Sequence, residues 1–353
     1  MTLKAHRAHL YPIVLAATIL AFAGSVPAED KCLVCHGKPG FSKVEGTGRK
    51  INLHVDQPAL LKSVHASRLC TDCHIDVVAI PHGVAQKVNC RRCHYSGNPV
   101  GAPQGELYDQ YAHSVHGMAV VSGNPKAPVC QDCHGTHDVL SPDSSGSTMY
   151  KLNRPATCGK CHIEIYSTYR ESVHGTALAS GILDAPDCAS CHGEHNIKKH
   201  LESGSRVSPE HVSETCSGCH GPVGVASKYG IKTDRTATFE DSFHGIAHKM
   251  ENRTVANCAS CHGFHDIRRP DDPKSSINPA NIVKTCGRTG CHPEATPQFV
   301  SGKIHVDPTN KESGLVYYIT KFFTILTVGT LAGLFVFIVL DLFRRAKKAR
   351  GAK

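Results

Sequence analysis

The stretch from Cys188 to His195, Cys-Ala-Ser-Cys-His-Gly-Glu-His, contains the pattern that decides the fold. Two cysteines separated by two residues are followed at once by a histidine. The pattern occurs eight times with this spacing and once with four residues between the cysteines, and together these motifs use all 18 cysteines. The cysteine pairs are Cys32 with Cys35, Cys70 with Cys73, Cys90 with Cys93, Cys130 with Cys133, Cys158 with Cys161, Cys188 with Cys191, Cys216 with Cys219, Cys258 with Cys261 and Cys286 with Cys291. The histidines that follow them are His36, His74, His94, His134, His162, His192, His220, His262 and His292.

The adjacent cysteine and histidine indicate covalent haem. In Cys-x-x-Cys-His the two thiols bond to one porphyrin, and the histidine becomes the proximal ligand of its iron. Structural zinc is the competing interpretation, but it draws four ligands from two separated pairs, which this adjacency suits poorly. Disulfides are the other alternative for an exported domain with an even number of cysteines. We therefore predict nine haem c groups, the ninth attached through the wider loop between Cys286 and Cys291.

A repeat of about 50 residues carries two motifs in each copy. The sequence Ser-x-His-Gly precedes the first motif, and its histidine lies 14 residues before the next cysteine in three copies. The second motif begins 24 residues after the first proximal histidine, and a threonine precedes its first cysteine. These intervals predict two-haem modules at about 62–94, 113–162, 171–220 and 241–292, of which the first is a shortened copy.

Nine further histidines are candidates for the distal ligands. Those that precede a motif, together with the last one, are His65, His116, His174, His244 and His305. Those that follow a motif are His82, His137, His195 and His265. A histidine three residues after its own proximal ligand is poorly placed for the opposite face of that haem, so we expect it to reach a neighbouring haem. The remaining mature histidines, for which we expect no iron, are His54, His113, His200, His211 and His248.

The two ends of the chain predict its location. Residues 1–28 combine Lys4 and Arg7, an apolar run and small residues up to Ala28, which is typical of a secretory signal; an uncleaved anchor is the alternative. Residues 315–343 include 19 uncharged residues, enough for a transmembrane helix, with a buried core helix as the alternative. The basic tail 344–353 predicts a cytoplasmic C-terminus, and residues 29–314 are then a periplasmic domain on a single-pass bacterial inner-membrane protein.

The composition points to cofactors in the core. The chain has no Trp and 6% aromatic residues, too few to fill a core of this size with side chains alone. The formal charge is +9, but without the signal, the anchor and the tail the exported domain carries only +1. Two propionates on each of nine oxidised haems would bring it to roughly −8, which argues against a nucleic-acid partner.

We therefore predict a mostly α fold with extensive coil and few or no strands, packed around stacked haems, plus one C-terminal transmembrane helix. Capping signals predict helices over 209–215 and 279–285, and apolar spacing predicts another from Ile163. Gly, Pro, Ser and Asn clusters predict loops at 98–105, 141–148, 202–209 and 270–279.

The motifs between residues 32 and 305 resemble those of multihaem c-type cytochromes, of the class III and doubled Cys-x-x-Cys-His kind. The chain is also similar to cytochrome subunits of menaquinol-oxidising membrane complexes, which implies a membrane partner of the cytochrome b or iron–sulfur type. It departs from the tetrahaem quinol dehydrogenases of the nitrate and nitrite systems, which have an amino-terminal anchor and fewer haems. A quinol site within this chain is therefore not implied.

Iron with two histidine ligands passes electrons but has no open position for a substrate. We therefore expect a relay and not an enzyme, with electrons from the quinol pool passing to periplasmic cytochromes, reductases or outer-membrane acceptors in anaerobic respiration. The alternative is a multihaem reductase of nitrite, hydroxylamine or a sulfur oxyanion with one open haem. No motif ends in the lysine that often marks the active haem of nitrite reductases.

Overall fold

Short helices joined by turns account for most of the computed structural model, which describes residues 31–46, 48–103, 105–221, 224–302 and 304–351. The predicted signal peptide lies outside these residues. The α-helices are α1 (Leu33–His36), α2 (Gln57–Lys62), α3 (Cys70–Cys73), α4 (Glu106–Ala112), α5 (Val115–Val121), α6 (Cys130–His134), α7 (Arg154–Gly159), α8 (Ile163–Arg170), α9 (Val173–Ala179), α10 (Cys188–His192), α11 (Val212–His220), α12 (Arg235–Glu240), α13 (Phe243–Lys249), α14 (Cys258–His262), α15 (Ile282–Cys286), α16 (Pro297–Val300) and α17 (Leu315–Gly351). Three 3₁₀ helices cover Cys90–Arg92, Val225–Tyr229 and Lys311–Ser313.

The chain forms two compact units, one ending at Val88 and the other beginning at Asn89. The first unit holds an antiparallel hairpin of β1 (Ser42–Val44) and β2 (Lys50–Asn52), in which Ser42 lies opposite Asn52. Each strand has only three residues and no apolar alternation long enough to signal a strand, so the sequence does not predict this hairpin.

The second unit repeats one order of helices three times. A leading helix (α4, α8 or α12) is followed by a serine-capped helix (α5, α9 or α13), a helix formed by the first motif (α6, α10 or α14) and a helix that enters the second motif (α7, α11 or α15). Successive copies are joined by backbone hydrogen bonds, since Val115 N donates to Ile197 O and Val173 N donates to Ile267 O, both at 2.9 Å. The 50-residue sequence repeat is thus a structural repeat whose copies interlock.

The Ser-x-His-Gly sequence forms the start of the serine-capped helix. Ser172 Oγ accepts from Gly175 N at 3.0 Å and donates to Tyr169 O at 2.7 Å, which joins this helix to the preceding one. A Cβ on Gly175 would lie 2.0 Å from Tyr169 O, so only glycine fits at this position. His174, which lies between Ser172 and Gly175, is therefore held in the first turn of a helix whose N-terminal end is fixed.

The threonine before the second motif has a structural role in all three copies. Thr157 Oγ1 donates to Thr148 O at 2.7 Å. Thr215 and Thr285 donate to the equivalent carbonyls of Arg206 and Ser276, both at 2.6 Å. Each bond closes the polar loop between the two motifs of a module, so the threonine fixes where the second motif begins.

Most of the local predictions are confirmed, but two helix boundaries are wrong. The helix from Ile163 is α8, and the described residues of the four loop segments are turns and coil. The helices predicted over 209–215 and 279–285 instead begin at Val212 and Ile282. At the first of these, His211 N and Val212 N both donate to Ser208 O, so the proline-containing segment is a turn that precedes the helix.

Few apolar side chains are buried in the described residues. Leu178, Val212 and Phe239 are the largest buried hydrophobic side chains, whereas Phe243 and Phe264 are 81% and 71% exposed. Both exposed phenylalanines directly precede histidines of the predicted distal set. The polypeptide thus leaves apolar surface beside its histidines, which a flat apolar cofactor would cover.

Helix α17 is the longest element and follows the last copy of the repeat. Its 37 residues extend through the predicted tail to Gly351, so no helix end separates the apolar segment from the basic one. Among the described residues it is the one helix that is long and apolar enough to cross a membrane. Its apolar window buries nothing against the rest of the chain, which fits a transmembrane helix.

Candidate haem-binding sites

The first motif of each module in the second unit forms a single helical turn. In α10 the side chain of Asp187 caps the turn, and Gly193 ends it with a φ of +82°, a conformation that favours glycine. Gly135 and Gly263 end α6 and α14 in the same way. Each of these motifs therefore holds two thiols and one imidazole on one turn.

The predicted attachment cysteines are accessible from the surface of the chain. No disulfide joins any of the 18, all of which lie within the described residues, so the disulfide alternative has no support. Four thiols that stand second in their motifs are exposed, namely those of Cys35, Cys73, Cys161 and Cys291. The others, including Cys93 and Cys219, are half-buried. A porphyrin can therefore reach each thiol, and the thioether bonds themselves stay a prediction.

Proximal and distal histidines face each other in pairs, with ring centroids 5.9–6.3 Å apart. Seven such pairs, each with its proximal member first, are His36 with His82, His134 with His195, His162 with His116, His192 with His265, His220 with His174, His262 with His305 and His292 with His244. For His65, His74, His94 and His137 the pairing stays a prediction.

This spacing fits two ligands on opposite sides of one metal ion. An imidazole nitrogen binds a metal at about 2.0–2.1 Å, and the ring centroid lies roughly 1 Å further back, so two rings across one ion have centroids about 6 Å apart. The pair of His292 and His244, at 6.1 Å, belongs to the motif with the wider loop. That motif therefore presents a proximal and a distal ring at the same spacing as the other pairs.

The pairs follow a rule that the sequence intervals do not reveal. The histidine before the first motif of a module pairs with the second motif of the same module, as His116 does with His162. The histidine after the first motif pairs with the first motif of the preceding module, as His195 does with His134. The second class thus reaches a neighbouring module, which supports the expectation from its position in the sequence.

The two classes of distal histidine also differ in ring orientation. The planes of pairs with a histidine that follows a motif are nearly parallel, at 12°, 8° and 19°. In the other class, which includes the terminal His305, the planes are tilted by 37–49°. Three of the four tilted rings lie on serine-capped helices and His305 lies in a bend before α17, whereas the parallel rings lie in irregular segments that follow a motif.

Hydrogen bonds at Nδ1 orient several of these rings. His36 Nδ1 donates to Leu53 O and His82 Nδ1 donates to Gly83 O, both at 2.7 Å. His305 Nδ1 lies 3.1 Å from Thr238 Oγ1, whose hydrogen is donated to Asp234 O, so the ring is again the donor. With Nδ1 protonated, the remaining nitrogen Nε2 is available as a metal ligand.

Burial favours the neutral form of several of the paired rings. It lowers the pKa of His174 to about 4, with repulsion from His220 as the second cause. Burial is also the first cause of lowered pKa values at His116, His134 and His262. A neutral imidazole is the form that binds a metal, so the environment prepares these rings for ligation.

Sulfur contacts link the motifs in sequence order. Cys90 donates a hydrogen bond to Cys130 and lowers its pKa to about 7, and Cys188 does the same for Cys158. A hydrogen bond from Cys216 lowers the pKa of Cys258 to about 6. Within the modules, the pairs close enough to interact electrostatically are Cys133 with Cys158, Cys191 with Cys219 and Cys261 with Cys286. From the third motif to the ninth, each attachment site therefore lies beside the next one along the chain.

A cavity of about 410 Å³ lies beside His195, and the polar groups that line it fit a haem. Arg154, Arg206 and Glu194 also line it. Arg154 Nε and His195 Nδ1 are buried and have no hydrogen-bond partner among the described residues. The unsatisfied donors of Arg154 and His195, together with the guanidinium group of Arg206, suit a carboxylate such as a haem propionate.

Sequence reasoning missed Arg154, one of the two arginines that line this cavity. Arg154 Nη1 donates to Asp187 Oδ2 at 2.8 Å, and its Nη2 donates to Met149 O at 3.3 Å. Its position four residues before Cys158 is the only sequence signal, and the later modules have Val212 and Ile282 there.

The five histidines for which no iron is expected make ordinary local contacts where their partners are described. His113 Nδ1 donates to Asp109 O at 2.7 Å, and His248 Nε2 donates to Pro209 O at 2.9 Å. His211 lies 3.5 Å from Glu214 on an exposed surface. His54 and His200 are half-buried and exposed, respectively.

Comparisons with known proteins find similarity to cytochromes. The family described as cytochrome c7 and related cytochrome c matches residues 21–95. The chain is 28% identical over 194 residues to the multiheme cytochrome MtrC of Shewanella baltica (strain OS185), a match that covers 54% of this chain and 26% of that protein. The chain thus spans about a quarter of the length of that relative, and no solved structure matches. With its repeated attachment motifs and paired histidines, the chain is similar to the multihaem c-type cytochromes, a class of haem-binding electron-transport proteins.

Proposed function

We propose that the chain is a membrane-anchored relay, in which nine haems with two histidine ligands each carry electrons from the quinol pool to periplasmic or outer-membrane acceptors. The observation that carries the proposal is the set of facing histidine rings, such as His134 with His195 and His220 with His174. A ring on each side of the iron leaves no position for a substrate, so such a centre exchanges electrons only.

The order of the attachment sites supports a continuous path. Hydrogen bonds and electrostatic interactions between attachment sulfurs run without a gap from Cys90 to the last motif at Cys286 and Cys291. Haems attached in this order would be neighbours in the order of the sequence. Electrons would therefore travel along the repeat, one module after another.

The position of α17 supports assigning one end of the path to the membrane. His305, which faces His262, lies ten residues before the start of α17 at Leu315. We assign electron uptake to this end, through a membrane quinol-oxidising subunit of the cytochrome b or iron–sulfur type. The basic residues from Arg344 to Arg350 favour a cytoplasmic end for α17, and the haems then lie in the periplasm.

The charge suggests how soluble partners dock. The propionates of nine haems would give a domain of roughly −8, so periplasmic cytochromes or reductases with basic surfaces are the expected acceptors. Such encounters are steered by long-range attraction and weaken as salt screens it.

The test compares the full chain with a variant that ends at Gly314. Both are incubated with their native membranes and a reduced menaquinone analogue, and haem reduction is followed by absorption. We expect rapid reduction of the full chain, slow reduction of the truncated chain, and equal reduction of both by dithionite. Equal rates with the quinol would contradict the role of the anchor.

Electron paramagnetic resonance of the oxidised full chain separates the relay from the reductase alternative. We expect only low-spin ferric signals. A high-spin signal from one haem equivalent would contradict a relay of fully ligated irons and indicate an open site.

A further inference from the structure

The three repeats differ in the residue that caps the helix of the first motif. Asp187 Oδ1 accepts from Ser190 N at 2.9 Å and from Ser190 Oγ at 2.7 Å. Asn257 Oδ1 accepts from Ser260 N at 3.2 Å and from Ser260 Oγ at 3.1 Å. In the remaining copy the capping position is Val129, which carries no polar side chain. The same cap thus exists in a charged and a neutral form within one chain.

The charged form is a buried ion pair. The Asp187 side chain is fully buried and Arg154 is 15% exposed, with 2.8 Å between Nη1 and Oδ2. A buried carboxylate needs such a cation, because an unpaired charge in this setting is costly. The later modules have Val212 and Ile282 at the position of Arg154, so this pair belongs to one junction only.

Both charges act at the place where two attachment sites meet. Asp187 directly precedes Cys188, whose sulfur contacts Cys158. The pKa of Cys158 is lowered to about 7, first by the hydrogen bond from Cys188; Asp187 opposes this shift and Arg154 adds to it. Asp187 is also among the charges that raise the pKa of Cys188, after its hydrogen bond to Cys158 and its burial. A negative potential from Asp187 therefore reaches both sulfurs.

We infer that the Asp187 carboxylate lowers the reduction potential of the haem attached at Cys188 and Cys191. The centre of a ferric haem loses its net positive charge when it takes up one electron, so a nearby carboxylate favours the oxidised form. The inference rests on the proposed attachment of haem at these motifs.

The experiment is a spectroelectrochemical titration of the full chain in detergent, in which the electrode supplies the electrons. The area between the reduction curves of a variant and the wild type, multiplied by the number of haems, gives the summed shift in potential. No single haem then has to be resolved. Haem content and the low-spin spectrum are measured on the same samples.

Asp187→Asn reproduces the side chain that caps α14. We expect its curve to move to higher potential by about a tenfold change in the oxidation equilibrium of one haem, which is about 59 mV. The reciprocal variant combines Val212→Arg with Asn257→Asp, which transfers the ion pair to the equivalent junction so that the added carboxylate keeps a cation. Its curve is expected to move to lower potential.

The double variant with Arg154→Val and Asp187→Asn matches the neutral Val212 and Asn257 of the next junction. Its curve is expected between those of the wild type and Asp187→Asn, because it removes both charges.

Curves of Asp187→Asn and of the reciprocal variant that coincide with the wild type, or that move in the same direction, would overturn the inference. If Asp187→Asn loses haem, the two double variants decide, and unchanged potentials in both overturn it. Failure of the relay would show itself differently, as a high-spin signal or as no reduction by quinol, with these shifts intact.

Discussion

His134 and His195 face each other across the boundary of two successive modules, with ring centroids 5.9 Å apart and planes only 8° apart. His195 belongs to the turn after α10, and Ile197 in the same turn accepts the backbone hydrogen bond from Val115 N. The contact that would complete one iron site therefore also joins two modules. The same segment therefore carries an iron ligand and a hydrogen bond that holds two copies of the repeat together.

Replacing His195 with alanine removes one distal ligand and leaves every attachment cysteine in place. We expect an unchanged haem content and one haem equivalent of high-spin ferric signal in electron paramagnetic resonance. His200→Ala is the matched control, because His200 lies in the same module, is exposed and belongs to neither ligand class. It should leave all haems low-spin.

A fully low-spin spectrum of His195→Ala would show that another group binds this iron. A high-spin signal in the His200 variant would mean that the assignment of ligands by position in the repeat is wrong.

The ninth haem can be counted directly. The intact mass of the full chain should equal the processed polypeptide plus nine haems, because Cys286, Cys291 and His292 present the arrangement of the other motifs. Replacing both Cys286 and Cys291 with alanine should reduce the mass by one haem beyond the change in side chains. A wild-type mass with eight haems would exclude attachment through the wider loop.

Gly175 tests the joint between the leading helix and the serine-capped helix. Its added Cβ would lie 2.0 Å from Tyr169 O, so Gly175→Ala should lower the free energy of unfolding by about 1–3 kcal/mol or more, as overpacking does. Thermal unfolding followed by circular dichroism measures the loss.

The control for Gly175 is Gly218→Ala, also in a helix. A Cβ on Gly218 meets nothing within 4 Å in the described chain. Equivalent positions in other motifs hold Asp132, Lys160 and Ser190, so a side chain is accommodated. We expect no loss there, and a gain of up to about 1 kcal/mol from helix propensity. Equal losses in both variants would contradict a specific role for the Gly175 contact.

The spacing of the motifs was enough to predict the repeat, the attachment residues and the two classes of histidine. It could not show which rings meet. His116 precedes Cys130 in the sequence, yet its ring faces His162 of the other motif in the module. Distance along the chain does not determine this pairing, because it depends on the tertiary fold that brings the ring on α5 opposite the residue before α8. The hairpin β1–β2 and the Arg154–Asp187 pair also depend on tertiary contacts that have no periodic signature.

The lowered pKa of His174 predicts how the protein responds to acid. Because burial and then repulsion from His220 bring this pKa from its ordinary value of 6.5 to about 4, the folded protein binds fewer protons than the unfolded chain between these values. The contribution of neutral His174 to the free energy of unfolding is therefore fully present above pH 6.5 and is lost as the pH falls towards 4.

The low-spin absorption spectrum of the full chain should consequently stay constant from pH 7 to about pH 5 and be lost only as the pH approaches 4. Ligation to iron favours the neutral ring further, so it can only widen this range of stability. The measurement is an acid titration followed in the visible region, with return to pH 7 to test reversibility. A high-spin spectrum that develops around pH 6.5, where an exposed histidine titrates, would contradict the buried and paired environment of His174 and His220.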